Sequence, residues 1–311
     1  MPVIFVFVDG VGAGQRDPGV NPLARGDQLL SQFADGTGSP LPGGGRVALV
    51  DACLGVAGRP QSATGQTTIL TGENAPRVLG RHVLGFPNAA LRELLVRRSL
   101  FRALAAAGRT GVFANAFPVA YLRAAGLECE GVAEFTLGRA RASATLVAYA
   151  AGAGRLRTWA DARAGRGLTP DITGARARAL GAPIAPRSPR AAAGILLEIA
   201  DRQDLTMFEF FETDEAGHER SMARAREVLA RLDAFLRAIL DGLPAGWSLV
   251  VTSDHGNVED LSSRNHTRAR VPVLGFGPAA AAVGAVRDLT GIRSVLLALA
   301  GARLPPGAGE R

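Results

Sequence analysis

Residues 248–257 read Ser248-Leu249-Val250-Val251-Thr252-Ser253-Asp254-His255-Gly256-Asn257. An apolar, largely β-branched run stops abruptly on a carboxylate and an imidazole. A short continuous apolar run bounded by polar and glycine positions reads as a strand buried on both faces, the kind found in parallel sheets. The same pattern recurs along the chain. Val3–Val8 runs into Asp9-Gly10, and Leu205–Phe211 runs into Glu212-Thr213-Asp214-Glu215-Ala216-Gly217-His218. Thr110–Ala114, Val271–Phe276 and an early run at Arg46–Val50 have similar texture. Between them lie amphipathic stretches at Ala89–Ala107 (with a break near Ser99), Pro189–Arg202, Ser221–Leu240 and Gly291–Ala300. In the third, Val228, Leu229, Leu232, Phe235, Leu236 and Ile239 recur at helical spacing, a core-facing stripe that carries no chemistry. Strands alternating with helices predict an α/β fold, a mainly parallel sheet flanked by helices.

The texture changes between Ala120 and Pro189, where Ala, Arg and Gly dominate, periodicity is weak and breakers such as Thr169-Pro170-Asp171 intervene. Within it only Ser143–Ala150 still reads as helical. The expected organisation is a core built from 1–119 and 190–311 with a small inserted cap over 120–189.

Composition excludes several functions. The chain has 311 residues and a formal charge of +7, yet it contains no lysine, and all 35 basic residues are arginine. Phosphate-cradling P-loops and Schiff-base chemistry both require a lysine. The arginines are scattered, often beside acids as in Arg92-Glu93 and Arg226-Glu227, and aromatics make up only 5%, so no nucleic-acid partner is expected. Cys53 and Cys129 match no metal or redox spacing and read as reduced thiols. Met1–Val8 lacks a basic flank and is too short for a signal or a membrane span, which leads to the expectation of a cytoplasmic protein without membrane partners.

Four histidines occur: His82, His218, His255 and His266. Three of them lie in polar clusters at strand boundaries. Ligands of parallel sheets bind at the carboxyl ends of strands, so Asp9, Asp214, His218, Asp254 and His255 should converge on one rim. His266, in Asn265-His266-Thr267, precedes the strand Val271–Phe276. Taken singly, an Asp-Gly after a strand is ordinarily a turn and a loop histidine an ordinary polar residue. Together they form a mixed carboxylate and imidazole set suited to Mn²⁺, Mg²⁺ or Zn²⁺. The set is too large for one tetrahedral ion and suits two, which together clamp the attacking and leaving oxygens of an in-line displacement.

Phe7-Val8-Asp9-Gly10, Thr213–His218, Thr252–Asn257 and His266-Thr267 resemble the metal-binding motifs of the alkaline phosphatase superfamily, in the branch of cofactor-independent phosphoglycerate mutase and phosphopentomutase. The resemblance covers about 1–118 and 190–311; the middle does not match those enzymes in length. It implies that Asp214, His218 and His266 hold one divalent ion, and that Asp9, Asp254 and His255 hold the other together with a nucleophile. That nucleophile is implied to be Ser62, in Gln61-Ser62-Ala63-Thr64-Gly65-Gln66-Thr67-Thr68, with Thr64 the runner-up. A helix starting near Thr67 would aim backbone N–H groups at the phosphoryl group. Gln66 stands where the mutases commonly have a histidine. His82 and Asn115 are further candidate substrate residues, each with an ordinary structural alternative.

The implied activity is phosphoryl transfer from a small phosphorylated substrate through phosphoserine. The small insert favours hydrolysis of a small phosphoester, with a phosphomutase as the rival, since a mutase must hold its intermediate in a closed pocket. Arg123, Arg139, Arg141, Arg155 and Arg157 are candidate phosphate contacts within the insert. A non-catalytic metal-binding protein on the same fold is the alternative of another class. A sulfatase lacks its modified residue here. A dinucleotide site at Gly10-Val11-Gly12-Ala13-Gly14-Gln15 lacks the third glycine and would set Asp9 against a pyrophosphate. Metal identity, substrate and oligomeric state are not fixed by sequence.

Overall fold

The computed structural model describes residues 1–127, 141–152 and 154–302. Its strands are β1 (Val3–Val8), β2 (Arg46–Val50), β3 (Gly111–Phe113), β4 (Ala116–Phe117), β5 (Arg157–Thr158), β6 (Leu205–Phe210), β7 (Ser248–Thr252) and β8 (Val271–Phe276). Six of them form one sheet in the order β2-β8-β7-β1-β6-β3. β1 runs parallel to both β6 and β7, and β3 runs parallel to β6. β8 is reversed, pairing antiparallel with β7 and with β2. The expected α/β class is therefore the observed one, with one antiparallel strand inside a mainly parallel sheet.

Every residue of β1 is buried because both faces of the sheet are covered. Val3, Phe5 and Phe7 join the layer that holds Ile69, Leu70, Ile292 and Leu296. Ile4, Val6 and Val8 join the opposite layer with Leu196, Val228, Leu232 and Phe235. The period-2 alternation of a strand thus divides one apolar run between two cores. The helix Met222–Asp241 lays its predicted stripe on this second face, where Phe235 meets Phe208 with ring centroids 5.2 Å apart. Its start is fixed by Ser221, whose side chain accepts from the Arg224 amide.

The break expected near Ser99 is real. Helices Ala89–Arg98 and Leu100–Ala106 meet at Ser99, whose extended backbone (ψ 136°) stops the first while its hydroxyl caps the Phe101 and Arg102 amides of the second. That hydroxyl also donates to the Ala148 carbonyl at 2.6 Å. The helix Ala144–Ala151 is thereby drawn into the main core, with Leu146 and Val147 beside Leu95, Leu100 and Phe101. The other part of the 120–189 stretch has its own small cluster, in which Ala116, Ala162, Ala177, Ala182 and Ile184 pack around the short β4–β5 pair. Cys53 is a free, half-buried thiol, and Cys129 lies outside the described residues. Among the described residues no helix is long and apolar enough to cross a membrane.

Candidate metal centre

Three parallel strands deliver their carboxyl ends to one rim. β1 hands over to Asp9, β6 to the helix Glu212–Glu219 with Asp214 and His218 one turn apart, and β7 to Asp254-His255. Because β8 runs the other way, its beginning lies at this same rim and brings His266 with it. Gly10 makes the crowding possible. It adopts φ +72°, and a Cβ there would lie 2.7 Å from Asp214 Oδ1.

Ligand atoms of Asp9, Asp254 and His255 lie within 4.8 Å of one another, and so do those of Asp214, His255 and His266. His255 Nε2 is 2.9 Å from Ser62 Oγ, 3.2 Å from Asp9 Oδ1 and 3.5 Å from Asp254 Oδ2. His266 Nε2 is 3.4 Å from Asp214 Oδ1 and 3.3 Å from His218 Nε2, which is itself 3.2 Å from Asp214 Oδ2. The His255 and His266 rings stack at 3.7 Å. All seven residues expected at the metal site thus meet in space. The geometry adds that His255 belongs to both groups, while His218 stands at the outer edge.

The donor chemistry fits cations. Each imidazole turns its Nδ1 to a backbone carbonyl: His218 to Arg264 at 2.8 Å, His266 to Pro60 at 3.1 Å and His255 to Gly256 at 3.3 Å. Such a bond holds the proton on Nδ1 and leaves the Nε2 lone pairs facing the cluster, the usual outer-shell arrangement of a metal-binding histidine. Asp9 Oδ1 and Asp254 Oδ2 are buried without a hydrogen bond. Burial, together with the Asp254 and Asp214 charges, holds Asp9 well above the ordinary carboxylate range, and burial and Asp214 do the same to Asp254. Burial also acts on Asp214, but the His218 bond and the His255 and His266 charges outweigh it and bring that group down to about 2. Burial, reinforced by His255, pushes His266 down to about 4. Buried carboxylates and imidazoles that turn Nε2 towards them form a donor set that divalent ions would satisfy.

Ser62 sits closer to its helix than the sequence suggests. The helix begins at Ser62 itself, with extended Gln61 as N-cap, and not near Thr67. The threonines do not break it, because Thr67, Thr68 and Thr71 return their hydroxyls to the carbonyls four residues earlier. The first-turn amides therefore belong to Ser62's own turn and have no acceptor within the helix. Gly65 lets this helix approach the β7 loop, since a Cβ there would lie 2.9 Å from Asp254.

The remaining candidates part company. Gln66 donates to Asp9 Oδ2 at 3.1 Å. Thr64 is fully buried and gives its hydroxyl to the Gln61 carbonyl at 3.1 Å, away from the cluster. His82 lies against the Val56 carbonyl at 3.4 Å, outside the converging set. The Asn115 side chain is consumed by both backbone groups of Glu209, at 2.7 and 2.8 Å, and extends the β3–β6 pairing. Among the arginines, Arg155 pairs with Asp161 and Arg157 donates to the Phe113 carbonyl, while Arg139 lies outside the described residues.

Sequence reasoning passed over three residues. Asn257 donates to the Asp214 carbonyl and to its Oδ1. Glu259 accepts from the Gly12 and Asn257 amides and from the Thr267 hydroxyl, tying together the loops that carry the ligands. Glu209 is buried beside the site and accepts from Thr145 at 2.6 Å. A lone carboxylate inside the apolar strand Leu205–Phe210 was the signal that could have revealed it.

Burial raises the Glu209 carboxyl from an ordinary 4.5 to about 7, against the lowering pull of Thr145. In metal-free protein the fold keeps a proton that the unfolded chain has already released. This group's contribution to stability should therefore fall as pH rises from 4.5 to about 7. Glu209→Gln should remove that slope in urea midpoints measured across the range; an unchanged slope would contradict a proton held at Glu209.

Ser62, Asp9 and Asp214 open into a cleft of about 600 Å³ bordered by Gln66, Phe86, Phe117, Tyr121, Ser143 and Glu209. A phosphoester larger than phosphate alone fits such a volume.

Comparison with known proteins bears on the fold and on one segment of the chain. Residues 189–302 match the model of the metalloenzyme superfamily. Over its whole length the chain resembles the alkaline phosphatase of Thermus thermophilus, with TM-score 0.57 at 12% identity, covering 97% of this chain and 92% of that one. The PH0037 protein of Pyrococcus horikoshii is similar at TM-score 0.57 and 14% identity, covering 98% of both chains. The chain thus shares the fold of these alkaline phosphatases, and residues 189–302 are similar to the metalloenzyme superfamily. In sequence the chain is similar to phosphopentomutases: one of Methylobacterium nodulans is 46% identical over 68 residues, 22% of this chain and 16% of the relative. The match spans about a fifth of the length of the curated relatives.

Proposed function

We propose that this chain transfers a phosphoryl group from a small phosphoester through Ser62. Asp9, Asp254, His255 and Ser62 would hold one divalent ion and Asp214, His218 and His266 a second, drawn from Mn²⁺, Zn²⁺ or Mg²⁺. One observation carries the reading. Ser62 Oγ lies 2.9 Å from His255 Nε2, in the first turn of a helix, beside buried carboxylates that lack counter-charge.

Bound ions would lower the pKa of the serine hydroxyl and offset charge on the nonbridging oxygens. The chain's own groups supply the rest. Ser62 Oγ forms the bond to phosphorus as the ester oxygen leaves on the opposite side, and the open amides of the first turn receive phosphoryl oxygens. Gln66 keeps Asp9 turned towards Ser62. The phosphoserine then yields its phosphoryl group to an acceptor. The stretch 120–189 would act as a small cap, its Tyr121 and Ser143 walling the cleft.

Two acceptors compete. The named relatives are phosphopentomutases, which supports return to a second hydroxyl over the hydrolysis favoured by the short insert. Release to water has support only from fold-level likeness to alkaline phosphatases. Metal-reconstituted protein given a phosphoester that carries a second hydroxyl should move the phosphoryl group to that hydroxyl without free phosphate, followed by ³¹P NMR. Stoichiometric free phosphate would make it a hydrolase.

A further inference from the structure

The cleft in front of Ser62 has one wall of ligands and one of rings. Phe86, Phe117, Pro118, Tyr121 and Phe211 border the same space as Ser62 and Asp9. Phe117 and Tyr121 are in ring contact, with centroids 5.8 Å apart. Phe86 is 41% exposed, on a loop where neighbouring Leu84 is 68% exposed. Apolar side chains left open to water at the mouth of a cleft mark a place where a ligand covers them.

The polar groups of this cleft are already engaged. Tyr121 donates its hydroxyl to the Arg141 carbonyl at 3.0 Å, and Ser143 bonds Thr145 at 2.7 Å. Gln66 is held by Asp9, Glu209 by Thr145, and Glu215 by Arg176 at 2.6 Å. No arginine is among the described residues that line the space. The nearest guanidinium groups lie behind the rings: Arg141 is over Phe86 at 5.9 Å, and Arg176, over Phe211 at 5.2 Å, is committed to Glu215, so a second phosphate would meet Glu209 and Glu215 in the lining itself. The hydroxyls of a bare sugar would find acceptors that already carry a bond and few donors left free, since Tyr121, Ser143 and Gln66 have given theirs to protein groups. An aromatic ring would only remove apolar surface from water and lie against other rings.

We infer that the phosphoester accepted at Ser62 carries an aromatic ring on its alcohol side. This rests on phosphoryl transfer through Ser62 but not on which acceptor takes the group, so the rate of Ser62 phosphorylation is the measurement to use. Metal-reconstituted protein is mixed rapidly with 2-phenylethyl phosphate, ethyl phosphate or ribose 5-phosphate, quenched in acid, and the phosphopeptide quantified. Phenylethyl and ethyl alcohols ionise similarly, so their difference reports binding of the ring. The phenylethyl ester should react at least about tenfold faster than either other ester at subsaturating concentration. Phe86→Ala and Tyr121→Ala should bring the phenylethyl-to-ethyl ratio down towards unity, and the remaining reaction with ethyl phosphate certifies that each variant is folded. Equal rates with the phenylethyl and ethyl esters, or faster reaction of ribose 5-phosphate, would overturn the aromatic preference alone. Absence of the adduct with all three esters would sink the Ser62 reading and this inference with it.

Discussion

Ser62→Ala is expected to abolish the acid-stable phosphopeptide spanning Gln61–Thr68 and to lower turnover by roughly 10⁴-fold or more, the scale seen when a covalent nucleophile is removed. The reason lies in the placement of the hydroxyl. Ser62 is the first residue of its helix and its Oγ is 2.9 Å from His255 Nε2, so no neighbouring hydroxyl can take over without moving the helix. Thr64 cannot substitute, being buried with its hydroxyl on the Gln61 carbonyl. Thr64→Ala should therefore lose much less activity. Metal content should fall only modestly in Ser62→Ala, because Asp9, Asp254 and His255 remain. That contrast separates a lost nucleophile from a collapsed site. Unchanged turnover with no adduct in the unmodified protein would mean that water attacks the ester directly.

Loss of His255 should be the most damaging single change to metal binding. Its Nε2 faces Asp9, Asp254 and Ser62 on one side, and its ligand atom also groups with Asp214 and His266 on the other. His255→Ala should bring metal content, read by elemental analysis, from about two ions per chain to below one. His218→Ala, at the outer edge of the cluster, should lose about one. Chelation should lower the melting temperature of the unmodified protein, because the Asp9 and Asp254 carboxyls are then buried together, each with an oxygen that lacks a partner. Restoring Mn²⁺ at roughly a hundredfold excess over its Kd should return about 2.7 kcal/mol per site of stability, a shift of several degrees. The same additions should move His255→Ala little. Two tightly held ions in that variant, or a melting temperature indifferent to chelation, would be incompatible with the proposed centre.

Much of this protein was written locally in its sequence. Runs such as Val3–Val8 and Ser248–Thr252 are apolar throughout because both faces of a central strand are covered, and that alone separates an α/β sheet from a one-faced one. The break at Ser99 and the stripe on Met222–Asp241 follow from equally local rules of capping and helical period. So does the gathering of Asp9, Asp214 and Asp254, because the carboxyl ends of parallel strands share one rim. Other features depend on long-range approach. His266 precedes its strand, and only the antiparallel setting of β8 brings that end to the metal rim. His255 serves both ligand groups because its ring stacks on His266, a contact that no spacing along the chain encodes. Asn115 looked free for substrate until β3 docked beside β6 and its amide closed on Glu209. Glu209 itself reads as a misplaced charge until Thr145, far away in sequence, gives it a partner. Composition and periodicity determine which elements form and which faces they bury, since both are properties of neighbouring residues. Strand direction, ring stacking and the pairing of buried polar groups were decided only when distant segments packed, because their energies arise between segments and not within them.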